Sequence, residues 1–190
     1  MGKLEDAEEV VITSAAEWRA WLEANAATST GVWVSMAKGT SSTRGELYPP
    51  LVEEALCFGW IDAVVRATET HSKLWFAPRS PKSAWAASNK ERVSRLLAEG
   101  RMTPAGQALI DAAKANGMWT VLEGPEAGIE PDELRAALDA NPDARAAWDA
   151  FSPSARKLAL TNIAMARTPA TTTRRIDAIV AAAARGEKAL

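Results

Sequence analysis

The chain predicts an α+β fold: a small, mainly antiparallel sheet with helices on one face, followed by an all-helical C-terminal half. Three observations carry that prediction. Up to residue 79, short apolar runs alternate as strands do and are separated by stretches of helical periodicity. Beyond residue 80 the alternation stops. From there a small polar residue precedes proline five times, at Ser80–Pro81, Thr103–Pro104, Asn141–Pro142, Ser152–Pro153 and Thr168–Pro169. Each pair predicts a helix start, because the polar side chain caps free amides and proline at the first helical position forfeits no hydrogen bond.

The elements follow in order. Residues 9–13, EVVIT, predict a first strand. Ser14 then caps a helix, with Glu17 three residues on as a capping box. Trp18, Trp21 and Leu22 fall at i, i+3 and i+4, one apolar face, and Asn25 with the polar ATSTG segment ends the helix. In GVWVSMAK (31–38), Val32, Val34 and Met36 point one way and Trp33 and Ser35 the other, a second strand. GTSSTRGE reads as a polar loop, and Pro49–Pro50 as the opening of a helix through Leu56 with Leu51, Ala55 and Phe58 inward. Gly59 ends it in a position that tolerates positive φ. Strands follow at 60–66 (WIDAVVR) and 74–79 (LWFAPR), with the THS segment at 70–72 in the turn between them.

The later helices are expected near 82–98, 104–115, 142–150, 153–166 and 169–186, with another starting near Pro131. Leu134, Ala137 and Leu138 make one apolar stripe, Leu158, Ile163 and Met165 a second, Ile176, Ile179, Val180 and Ala183 a third. EGPEAGIEP (123–131) is the linker-like text, so the division reads as an α+β domain with trailing helices over 1–122, a linker at 123–129 and a helical annex over 130–190.

Composition bounds the function. With 190 residues, 47% hydrophobic and 24% charged, the chain is long enough to bury a core. A net charge of −2 argues against a nucleic-acid binder, which would carry a basic excess. No apolar run approaches a membrane span and the N-terminus lacks a signal peptide's basic and apolar regions, so a cytoplasmic protein is expected. His71 is the only histidine and Cys57 the only cysteine, which leaves no zinc-ligand set and no disulfide. His71 falls in a polar turn, Cys57 on the apolar side of a helix where a buried, inert thiol is expected. Neither G-x-G-x-x-G nor a P-loop occurs; Gly39 to Gly45 lacks the lysine and the following helix. Neither metal nor cofactor is expected.

Eight Trp against one Tyr is the compositional oddity, and Trp60, Trp75 and Trp85 stand in the most informative text. Strand alternation puts Trp60, Asp62, Val64 and Arg66 on one face and Trp75, Ala77 and Arg79 on one face of the neighbouring strand. If both faces point away from the helices, Asp62, Arg79 and two indoles converge, with Lys82 and Trp85 arriving from the next helix start. Two readings stand: a structural Asp62–Arg79 pair, or an aromatic-walled ligand site of Trp60, Asp62, Trp75, Arg79, Lys82 and Trp85. The basic residues Arg156, Lys157, Arg167, Arg174 and Arg175 form the other patch, suited to a polyanion or to solvated helix faces.

The stretches EEALCFGWID (53–62), FAPRSPKSAW (76–85), GRMTPAG (100–106), FSPSARK (151–157), ARTP (166–169) and RRI (174–176) resemble the bacterial YdeI/OmpD-associated family, the bacteriocin-protection proteins. The resemblance extends over nearly the whole chain. It departs at Ala63, where the family has glycine after WID, and at Asn162 and Thr172, where it tends to carry Trp and Arg. It implies a small, cytoplasmic, cofactor-free α+β protein linked by name to antimicrobial tolerance, and it carries no catalytic residues over. The expected function is a non-catalytic protein of bacteriocin or stress tolerance that binds a small or peptidic ligand in an aromatic-lined cleft. The alternatives are an enzyme using Asp62 as general base with Arg79 or Lys82 holding an anion, and an adaptor that meets a protein partner through the C-terminal helices.

Overall fold

A computed structural model describes residues 7–37, 42–67 and 71–188. The chain forms two compact units, one comprising residues up to Ser83 with Ser88–Asn116, the other Ala84–Ala87 with Gly117 onward.

The first unit runs β1 (Glu9–Val11), α1 (Ala15–Asn25), β2 (Val32–Ala37), α2 (Ser42–Cys57), β3 (Trp60–Ala67), β4 (His71–Pro78), α3 (Ala87–Ala98) and α4 (Pro104–Ala115). Its four strands lie in the order β1-β2-β4-β3. The β1–β2 pair is parallel and the β2–β4 and β4–β3 pairs are antiparallel, so the sheet is mainly antiparallel. Ser14 Oγ accepts from the Glu17 amide at 3.2 Å, and the Glu17 carboxylate reaches back to the Thr13 amide at 2.9 Å, fixing the start of α1. The apolar face then docks. Trp18 packs on Phe76 with ring centres 5.0 Å apart, and its indole N–H donates to the Leu51 carbonyl at 3.0 Å, tying α1 to the sheet and to α2.

Pro49 and Pro50 lie inside α2 instead of opening it. An interior proline loses its amide donor and crowds the carbonyl four residues back, so the helical state of residues 42–48, where a loop is expected, runs against local propensity. Residues 39–41 of the expected loop lie outside the described residues. The His71 backbone begins β4 and Ser72 is buried within it, so these two residues are strand and not turn. Thr70 and the His71 imidazole lie outside the described residues.

The second unit carries α5 (Glu123–Glu126), α6 (Asp132–Asp139), α7 (Pro142–Ala150), α8 (Pro153–Ala164) and α9 (Pro169–Ala183). Among the described residues no strand follows Pro78. Thr103, Asn141, Ser152 and Thr168 each accept an amide of the helix they precede, with proline next, as the sequence predicts. Ser80–Pro81 does not: the Ser83 amide donates to the Ser80 carbonyl at 2.9 Å in a turn, and α3 starts only at Ala87. Leu134, Leu138, Trp148, Leu160, Ile163, Ile176 and Ile179 form the core of this unit. Leu158, expected in its stripe, is 50% exposed; α8 turns Ala159, Leu160 and Ile163 inward instead. The text at 123–126 forms α5, with Pro125 buried, and the unit boundary falls at Gly117.

Candidate functional site

The fold brings chemistry together where β3 and β4 leave α2. Gly59 follows α2 with φ +74, the left-handed turn that a glycine takes without strain, and its carbonyl accepts from the Arg79 amide at 2.8 Å. This closes the end of the β3–β4 pair, where Trp60 stands opposite Pro78. Trp60 is buried; its indole meets Trp21 edge-on at 5.8 Å and donates to the Ala26 carbonyl at 3.3 Å.

Two residues on, Asp62 lies opposite Phe76, on the sheet face that carries Trp18. The Tyr48 hydroxyl, from the turn of α2 before its prolines, donates to Asp62 Oδ2 at 2.8 Å. Arg79 is only 6% exposed. Burial pulls its guanidinium pKa down to about 10, and the negative charge of Asp62 works against that pull. The Tyr48 hydroxyl and the half-buried Asp62 carboxylate form a polar pair at the edge of an aromatic core, and the charge of Asp62 is felt at the buried Arg79 guanidinium. Such groups offer donors and an acceptor to a polar or zwitterionic group.

The remaining expected residues are placed elsewhere. A register shift between Asp62 and Val64 inserts Ala63 as a bulge. Trp60 and Asp62 stay on the α1 side, whereas Val64 pairs with Trp75 and Arg66 lies 5.0 Å over the Trp33 ring on the opposite face. The single face expected for Trp60, Asp62, Val64 and Arg66 is thus divided, and Trp75 lies across the sheet from Asp62. Lys82 is exposed in the turn after Pro81. Trp85 belongs to the second unit, where it is buried against Trp119 with ring centres 5.1 Å apart and its amide donates to the Met118 carbonyl.

Tyr48 escaped the sequence reading. Its signal is faint: the one tyrosine of the chain, immediately before two prolines. Glu54 escaped it too. This carboxylate, 5% exposed, accepts from Arg19 at 2.8 Å and from Arg101, while neighbouring Glu53 pairs with Arg95. The network pins α1 and the loop before α4 to α2. Its partners are neutralised within the chain, so it reads as structural. Cys57, beside it, is buried, and burial with the Glu54 charge pushes its thiol up to about 11. In the basic patch, Lys157 pairs with Glu126 at 3.1 Å and Arg175 donates to the Asn162 carbonyl. Among the described residues no group of three or more His, Cys, Asp or Glu is placed to hold a metal, and no helix is long and apolar enough to cross a membrane.

Residues 10–109 match the family model described as a domain of unknown function (DUF8412). Residues 128–186 match the model described as bacteriocin-protection, YdeI or OmpD-associated. The EEALCFGWID and FAPRSPKSAW texts fall in the first match, FSPSARK and RRI in the second. Comparison with curated proteins and with solved structures finds no match.

Proposed function

We propose, for a chain that belongs to the family described as a domain of unknown function (DUF8412) and carries a bacteriocin-protection, YdeI or OmpD-associated segment at 128–186, a non-catalytic binding role in tolerance of antimicrobial stress in the cytoplasm. The ligand is small or peptidic, and its polar group is taken at Tyr48, Asp62 and Arg79. One observation carries this reading: Arg79 is held under cover within the electrostatic reach of a half-buried carboxylate that a tyrosine hydroxyl already orients. Burying a guanidinium is unfavourable, and functional sites are where such perturbed groups concentrate. The family description matched at residues 128–186 supports the link to bacteriocins.

Asp62→Asn tests the reading. It keeps the shape and a hydrogen-bond acceptor for Tyr48 but removes the charge facing Arg79. A binding role predicts a thermal melt close to wild type and loss of protection when cells expressing the variant are challenged with a bacteriocin. A purely structural pair predicts the reverse: destabilisation of about 1–3 kcal/mol and protection that falls only in proportion to folded protein. Tyr48→Phe provides the second arm, since it frees Asp62 Oδ2 without altering any charge.

A further inference from the structure

We propose that the cavity beside Trp75, across the sheet from Asp62, is a second binding site, one for a primary alkylammonium group. The cavity has a volume of about 790 Å³ and opens where α1 ends and β2 begins, with Glu8, Asn25, Thr28, Thr30, Gly31 and Trp75 on its wall. That volume lies within the range of small-molecule sites.

Among the described residues its electrostatics have one sign, and Glu8 is the only charged side chain of theirs on the wall. Asn25 Nδ2 donates to the Trp21 carbonyl at 2.8 Å, which fixes the amide and leaves its Oδ1 as an acceptor. The C-terminus of α1 opens here, and no basic residue stands in its last turn to offset the negative end of the helix dipole. The fourth contribution is the π face of Trp75. Next to it, Trp33 has both Arg66 and Lys73 over its ring, at 5.0 and 5.2 Å. Among the described residues no cation stands over Trp75, although Trp33 and Trp75 are in edge contact at 5.5 Å. Carboxylate, amide oxygen, helix end and indole all favour a cation, and the described residues of the wall supply none. A primary ammonium matches them with three donors and a compact charge.

The indole is fixed by its neighbours. Gly31 has φ +146, and a Cβ there would lie 2.1 Å from Trp75 Cζ2. Only glycine lets the chain turn into β2 and leaves room for the ring, so Trp75 is a built wall.

The test follows the indole N–H signal of Trp75 in the intact protein, assigned by its disappearance in Trp75→Phe. The probe is 1,5-diaminopentane at low ionic strength, with pentane-1,5-diol and glutarate as neutral and anionic controls. The expected result is a saturable shift of the Trp75 signal with the diamine and none with either control. Glu8→Gln, a change at an exposed side chain, should weaken the diamine about two- to fivefold, the contribution of a charge at an open site. A shift that grows without saturating, a diol as effective as the diamine, or undiminished affinity in Glu8→Gln would each overturn the proposal.

Discussion

Trp60 shows how one side chain joins three elements. It starts β3, meets Trp21 of α1 edge-on and gives its N–H to the carbonyl of Ala26, the residue that caps α1. Trp60→Ala removes the ring from a closed core and orphans that carbonyl, so the expected loss is about 3–5 kcal/mol, read by urea denaturation. A variant within about 0.5 kcal/mol of wild type would mean the corner reseals without the ring. Cys57 gives a pH prediction. Its thiol is raised from 9.0 to about 11, chiefly by burial and then by the Glu54 charge. The folded chain therefore keeps a proton that the unfolded chain releases earlier. The stability this carries is present below the unfolded pKa and is lost as pH rises toward the folded one. Between about pH 9 and 11 the wild type should lose stability more steeply than Cys57→Ala. Parallel slopes for the two would show that the thiol does not titrate there.

At the scale of elements, the Gly106 contact decides between two opposing effects. In an open helix, Gly→Ala gains about 1 kcal/mol from propensity. At Gly106, in the first turn of α4, the new Cβ would lie 2.3 Å from the Cys57 carbonyl oxygen and 2.6 Å from Met102 Sδ. Sulfur on a flexible side chain can move, but a backbone oxygen that already accepts from the Thr103 amide and Oγ1 holds its place. Overpacking should win, and Gly106→Ala should destabilise by about 1–3 kcal/mol in chemical denaturation. A stabilised variant would show that α4 slides on α2 at little cost. The same scale shows what the sequence made legible. The caps at Thr103, Asn141, Ser152 and Thr168 are local chemistry, readable from two adjacent letters. Ser80–Pro81 carries the same letters yet makes a turn, because the first amide of α3, at Ala87, takes its cap from the Glu126 carboxylate at 3.0 Å. That partner is 39 residues away and leaves no local trace. The bulge at Ala63 is equally silent. Alternation alone places Asp62 and Val64 on one face, and the one-residue slip that separates them is set by pairing with β4.

For the molecule as a whole, the sequence separates a mixed first half from a helical second half, but the boundary between units depends on long-range pairing. Residues 84–87 join the second unit through contacts such as the Trp85 amide with the Met118 carbonyl, which no run of letters announces. Nor does linker-like text at 123–131 announce that Glu130 anchors the core that follows. Its carboxylate accepts from Arg145 at 2.8 and 3.0 Å and from the indole N–H of buried Trp148 at 2.7 Å. The Arg145 hydrogen bonds hold the Glu130 carboxyl below its ordinary 4.5, with Trp148 adding to them. A depressed carboxylate contributes stability that is present above its unfolded pKa and lost as pH falls through the folded one. Glu130→Gln preserves the shape and an acceptor for Trp148 while removing the charge. At pH 7 it should cost about 1–3 kcal/mol, seen as faster amide exchange across α6–α9 in the intact chain. As pH falls below the ordinary 4.5 the gap should narrow, because the unfolded chain then takes up a proton that the folded carboxylate resists. Asp132→Asn is the contrast: that carboxylate pairs with Arg135 but is 93% exposed, and screening should leave its loss within about 0.5 kcal/mol. Equal exchange in Glu130→Gln and wild type at pH 7 would remove Glu130 as the anchor and leave the second core to apolar packing alone.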